Sequence, residues 1–230
     1  MYVLHFAPDN ASLAVRIALE ELGAPYEARL VDRARRGQRA PGYLALSPGG
    51  TIPVLEIDGA PVFETAAILL ALAERHGALA PAPGVAGRAA FLSWLFFLSN
   101  TLHAELRLMF YPERYAEPPA RAGFDAAVRA RFSGHVALAE ARWAAAPGPY
   151  LGGAAPGIAD IYLAVCLRWA QLYPQGAPPA FTPAGHPALA RMMTALQSRP
   201  ATARACRAEG IAPPFLVAPT PPDGSAGAAL

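Results

Sequence analysis

The stretch that decides the fold is residues 49–77, GGTIPVLEIDGAPVFETAAILLALAERHG. Within it, PVLEID and APVF read as two short strands, and the Asp58-Gly59 pair between them is a strong two-residue hairpin signal. From Thr65 the period changes: Ile68, Leu69 and Leu72 fall on one helical face, and Gly77 supplies the stop. The segment is therefore a ββα unit. Pro53 stands at its head, where a residue that cannot donate to the ladder is tolerated as a strand entry. A second reading is that the Ile52–Pro53 bond is cis and turns the Ile52 backbone outward, so that its N–H and C=O can pair with an extended, peptide-like ligand. Thr65 carries the same duality. As a helix N-cap it needs no ligand, yet a helix amino terminus with a hydroxyl is also a ready carboxylate site. A ligand whose backbone pairs with Ile52 would set its carboxylate at Thr65 and its ammonium at Glu64.

Upstream, YVLHFA at 2–7 reads as a buried strand ended by Pro8, and the DNAS that follows offers cap and turn residues. A helix then runs from Ser12 to Leu22, with Val15, Leu19 and Leu22 at i, i+4 and i+7, and YEARLVD at 26–32 alternates like a second strand. Strand, helix and strand in that order favour parallel pairing through a right-handed crossover. Residues 33–50 are basic and broken by glycine and proline, and hold one irregular helix or turn. Periodicity disappears again after Gly77, so the chain divides into a first domain over 1–78, a linker over 79–87, a helical domain over 88–215 and a disordered tail over 216–230. In the helical part, residues 88–110 form a long helix with Phe91, Leu95, Leu98 and Leu102 inward, followed by helices near 122–145, 158–173, 187–198 and 200–208.

The 230 residues carry a net charge of only +2, too weak for a nucleic-acid or membrane-surface footprint. All 19 basic residues are arginines, which reflects overall composition before it reflects chemistry. The two cysteines, Cys166 and Cys206, form neither a metal cluster, a disulfide framework nor a Cys-x-x-Cys motif. Neither the amino terminus nor FLSWLFFLSNTL is long enough to span a bilayer. A cytoplasmic protein with small-molecule partners is the expectation.

TIPVLEIDG, FETAAILLALAERHG, SLAVRIALEELGAPYE and GIADIYLAVCLRW together resemble the cytosolic glutathione S-transferases, over about residues 1–215. The resemblance implies an α/β thioredoxin-like N-terminal domain followed by an all-α C-terminal domain, glutathione as co-substrate, and a homodimer. It further implies a cis Pro53, an Ile52 backbone that pairs with the cysteinyl part of glutathione, and Glu64 and Thr65 at the γ-glutamyl end. Asp160 matches the family's helix-capping aspartate, although Gly157 stands where its serine or threonine partner usually sits.

A thiol with a pKa near 8.5 needs a donor or a positive dipole beside it to ionise at neutral pH. The first loop, similar to that of bacterial beta-like members, has Ala11 at the position of their loop cysteine. This leaves Asn10 and Ser12 as candidate catalytic donors to the sulfur, with a plain turn or cap role as the alternative for each. His5, at the place of the catalytic tyrosine in other members, reads as structural. Asn100, His103 and Arg107 recur at 3 and 4 on the long helix, and the resemblance makes His103 a candidate for glutathione or co-substrate contact. Gln38, or one of Arg33, Arg35, Arg36 and Arg39, is the candidate for the glycine carboxylate. Phe110, Tyr111 and the tail after Phe215 would line the pocket for a small, mostly apolar electrophile. The expected activity is conjugation of the glutathione thiolate to that electrophile. Glutathione-dependent reduction or isomerisation, or a binding module without catalysis, are the alternatives.

Overall fold

In the computed structural model, which describes residues 1–222, a four-stranded sheet forms from β1 (Tyr2–Phe6), β2 (Tyr26–Leu30), β3 (Val54–Ile57) and β4 (Ala60–Phe63). The order is β2-β1-β3-β4, with β1 and β2 parallel and the other two pairs antiparallel. Helix α1 (Ser12–Leu22) makes the parallel crossover and packs against α3 (Thr65–His76), covering the sheet face that carries Leu4 and Leu55. The opposite face carries Val54, which packs with Tyr43 of the short helix α2 (Pro41–Leu44). Strand alternation thereby decides His5: it lies on the α2 side, hydrogen-bonded to Glu56 across the ladder at 2.7 Å, a structural role.

The long helix is α4 (Arg88–Phe97) and α5 (His103–Phe110), joined by one π-helical turn over Leu98–Leu102. After them come α6 (Arg121–Ala144), α7 (Ile158–Leu172), α8 (Pro187–Gln197) and α9 (Pro200–Ala208). Helix α7 is buried along nearly its whole length, and α1 lies against both α7 and α9, so the helical region grips the sheet unit through α1. At the start of α7, Asp160 accepts the backbone N–H of Gly157 at 2.8 Å and also binds Leu151 N–H and the Trp143 indole. Only half of a capping box is made, since glycine has no side chain to return the bond. Burial pushes the Asp160 carboxyl up, against the pull of these three donors.

Residues 216–222 depart from the expected disordered tail. Leu216 is buried, and the Gln197 carboxamide accepts the N–H groups of Leu216 and Val217. Gln171 donates to Leu216 O and Arg168 to Thr220 O. Tail composition is silent on this because the partners lie on α7 and α8. The rest of the expected tail, 223–230, lies outside the described residues.

Candidate functional site

A cavity of about 320 Å³ opens between the sheet unit and the helical region. Asn10, Gln38, Ile52, Pro53, Glu64, Thr65 and His103 all line it, so residues up to 93 positions apart in sequence meet there. The Ile52–Pro53 peptide is cis, and the β3 ladder begins only at Val54, which leaves Ile52 at the open end of the sheet. Glu64, rather than Thr65, occupies the capping position of α3. Its φ of 71° lies in the left-handed region, which non-glycine residues adopt seldom and at a cost that the surrounding structure must hold. Thr65 is the first helical residue and is buried at the cavity wall. The α3 amino terminus, without a side-chain cap, thus faces the cleft beside the free end of the sheet.

Ser12 is not brought to the cavity. Its hydroxyl is fully buried, donates to Ala7 O at 3.1 Å and accepts the Ala7 N–H at 3.3 Å, so it clips the start of α1 to the end of β1. Ala11, not a side-chain cap, starts the helix. Asn10 does face the cavity. Its Oδ1 accepts from Arg33 at 3.2 Å and its Nδ2 donates to Pro8 O at 2.9 Å, which fixes the carboxamide and leaves one N–H directed elsewhere. Gln38 also lines the cavity, with its Oε1 buried and unpartnered, and rotation of the carboxamide presents Nε2 in the same place. Of the basic run, Arg33 and Arg39 reach the cavity, while Arg35 and Arg36 do not; on the long helix Arg107 does and Asn100 does not. Phe110 and Tyr111 line it, but Phe215 is packed into the core with Leu216, and among the described residues none after Phe215 lines the wall.

Three aromatic residues of α7 and its end were not singled out from the sequence as site residues: Tyr162, Trp169 and Tyr173. Their spacing of 7 and 4 is a readable helical stripe, but such a stripe ordinarily marks core. Here it does both. Tyr162 OH lies 2.7 Å from His103 Nδ1, with the Ser99 and Thr65 hydroxyls beside the same phenol oxygen, so one buried phenol links α3, the π turn and α5. Burial pushes the Tyr162 phenol well up, and burial together with the Arg107 charge pushes the His103 imidazole down to about 4. His103 is therefore neutral at pH 7, a hydrogen-bonding group rather than a cation.

The loop that carries Asn10 is anchored from behind. Asp9, with φ 53°, sends its carboxylate into the interior, where Arg168 binds it through Nε at 2.8 Å and Nη2 at 3.0 Å; Trp169 Nε1 and Tyr173 OH add further bonds. The Asp9 N–H meets Glu209, which in turn binds Arg16 at 2.9 Å. Burial pushes the Glu209 carboxyl up to about 7 in spite of Arg16. Both thiols, Cys166 and Cys206, are buried away from the cleft, and burial raises their pKa values.

Residues 11–75 match the glutathione S-transferase N-terminal domain, and residues 112–193 match the C-terminal domain. Glutathione S-transferase GST-4.5 of Xanthomonas campestris is 32% identical over 73% of this chain and 81% of its own. This chain belongs to the glutathione S-transferase family. The disulfide-bond oxidoreductase YfcG of Escherichia coli is 30% identical over 89% of this chain and 94% of its own. Among solved structures, a sphingomonad glutathione S-transferase complexed with glutathione superposes with a TM-score of 0.75 at 33% identity, covering 91% of this chain and all of that one. The transferase architecture expected from the sequence, a thioredoxin-like unit followed by helices, is the one observed. No described helix is long and apolar enough to cross a membrane.

Proposed function

We propose that the chain binds glutathione in the cavity and conjugates its thiolate to small electrophiles. The observation that carries this reading is the meeting of Ile52 at the open end of the sheet, the uncapped α3 amino terminus at Glu64-Thr65, and Asn10 in one cavity. In it, the γ-glutamyl carboxylate lies at the α3 amino terminus, where N–H groups and the helix dipole favour an anion. Glu64 takes the ammonium, the Ile52 backbone pairs with the cysteinyl unit, and Gln38 with Arg39 holds the glycine carboxylate. The sulfur then lies at the first loop, where the remaining Asn10 N–H stabilises the thiolate. Arg33, held on Asn10 Oδ1, adds a positive charge behind it. Attack forms the carbon–sulfur bond while the leaving group departs with its electron pair, and the thiol proton passes to solvent.

Calorimetric titration with reduced glutathione tests the reading. Saturable binding that Thr65→Ala weakens about tenfold, the scale of one charge-assisted hydrogen bond, supports it. Absence of binding at millimolar glutathione sinks it. Disulfide reduction is the second reading, favoured by the similarity to the Escherichia coli oxidoreductase over nearly that protein's whole length. With no cysteine at the cleft, glutathione itself would have to supply the attacking thiol. Turnover of a disulfide without conjugation of a model electrophile would select that reading. A cytoplasmic homodimer completes the proposal; a mass of only 24.1 kDa by light scattering at micromolar concentration would contradict the dimer.

A further inference from the structure

The cavity holds more positive charge than glutathione uses. Arg33, Arg39, Arg107 and Arg114 line it against Asp9 and Glu64, and Asp9 is already held bidentate by Arg168. Glutathione brings two carboxylates, one ammonium and, once activated, a thiolate. On the placement proposed above, Glu64, the α3 amino terminus, Gln38 with Arg39, and Asn10 with Arg33 answer those groups. Arg107 and Arg114 are left over, and both belong to the helical wall, away from Ile52 and Thr65.

Their geometry suits a ligand. Arg107 donates through Nε to Tyr115 OH at 3.0 Å, and its two Nη groups have no protein partner among the described residues. Arg114 lays its guanidinium over the Tyr111 ring at 4.2 Å, with Glu113 no nearer than 3.7 Å. Stacking on the ring holds the guanidinium plane while leaving its edge open to a planar anion. Phe110, Trp169 and Tyr173 supply an aromatic surface on the same cavity, with Phe110 against Tyr173 and both Trp169 and Tyr173 bonded to Asp9 of the thiol loop. The Arg107 charge also reaches the cavity wall, since it helps to hold His103 neutral.

We infer that the second substrate carries a carboxylate on an apolar, planar body, with Arg107 and Arg114 binding the carboxylate and the aromatic wall the body. This rests on the conjugation reading above and narrows its substrate class. Arg107 and Arg114 act as specificity residues that touch substrate, not as participants in sulfur activation.

A matched pair of aryl chlorides tests it: 4-chloro-3-nitrobenzoate and the corresponding benzamide. In both, the glutathione sulfur bonds to the ring carbon bearing chlorine, chloride leaves with the electron pair of the carbon–chlorine bond, and the thiol proton goes to solvent. Each kcat/KM is divided by the uncatalysed rate constant with glutathione, which removes the intrinsic difference in reactivity. The expected result is a preference for the acid of about tenfold or more, lost in Arg107→Gln/Arg114→Gln and partly kept in the double lysine variant. Arg191→Gln, on the exposed side of α8, leaves the ratio unchanged. Equal enhancement of acid and amide, or a preference untouched by the double glutamine variant, overturns the inference while conjugation stands. If neither chloride turns over, conjugation itself fails. The carboxylate site is then judged by titrating unreactive 3-nitrobenzoate and 3-nitrobenzamide into glutathione-saturated protein, where tighter binding of the acid that depends on both arginines is required. Should the double variant not fold, each single variant carries the same comparison.

Discussion

Replacing Asp9 by alanine removes the acceptor of four hydrogen bonds and leaves the Arg168 guanidinium buried without a counter-charge. Both side chains are 0% exposed, so water cannot replace the lost partner. The carbonyls of Phe215 and Thr220 still accept from Arg168, but carbonyl dipoles do not balance a full charge. Breaking a buried pair in this way costs roughly 3–5 kcal/mol. At about 2–4 °C per kcal/mol for a chain of this size, Tm falls by about 6–20 °C. Asp9→Asn keeps the volume and tolerates the left-handed φ of 53°, so the difference between the two variants separates lost charge from lost packing. Urea unfolding followed by tryptophan fluorescence reads the loss, since Trp169 itself donates to Asp9. The double variant Asp9→Ala/Arg168→Met should be less destabilised than the sum of its parts, because the orphaned charge has gone. A loss below about 1 kcal/mol for Asp9→Ala, or simple additivity in the double variant, would refute the reasoning.

Asn10→Ala should raise the pKa of bound glutathione, followed by thiolate absorbance in the ultraviolet, whereas Ser12→Ala should lower stability and leave that pKa in place; the reverse pattern would return Ser12 to the site. Gly50→Ala should weaken glutathione binding with the helical circular dichroism intact, because φ is +59° there and an added Cβ would stand 2.7 Å from Gln38 O, displacing the loop that carries Gln38 and Arg39. His103 gives a pH test. Its folded pKa of about 4 lies below the unfolded value near 6.5, so the unfolded chain binds the extra proton between them. Its contribution to stability is complete above pH 6.5 and is lost as pH falls towards 4, so unfolding midpoints of wild type should drop faster over that window than those of His103→Gln. Parallel curves would show that the imidazole is not held neutral.

The sequence by itself determined the elements and their order. Alternation in PVLEID, the Asp58-Gly59 turn, the helical period after Thr65 and the glycine stop at Gly77 are local preferences, and the backbone followed them: Gly77 closes α3 at φ 62°. Pro53, Glu64 and Thr65 were legible as a group because strand entry and helix start are defined within a few residues, and the structure sets all three on the cavity wall. What required the tertiary structure was every choice between equivalent local roles. Asn10 and Ser12 are two residues apart in one turn, and only packing sends the Ser12 hydroxyl inward to Ala7 while Asn10 meets Arg33 at the cavity. Tyr162 and Trp169 look like core because they are core, and they become wall only because α7 is packed where the cavity opens. The carboxylate of Asp9 reads as a turn residue until Arg168, 159 positions away, is seen to bind it. Such pairings are set by side chains meeting across domains, and no periodicity within a single segment records them.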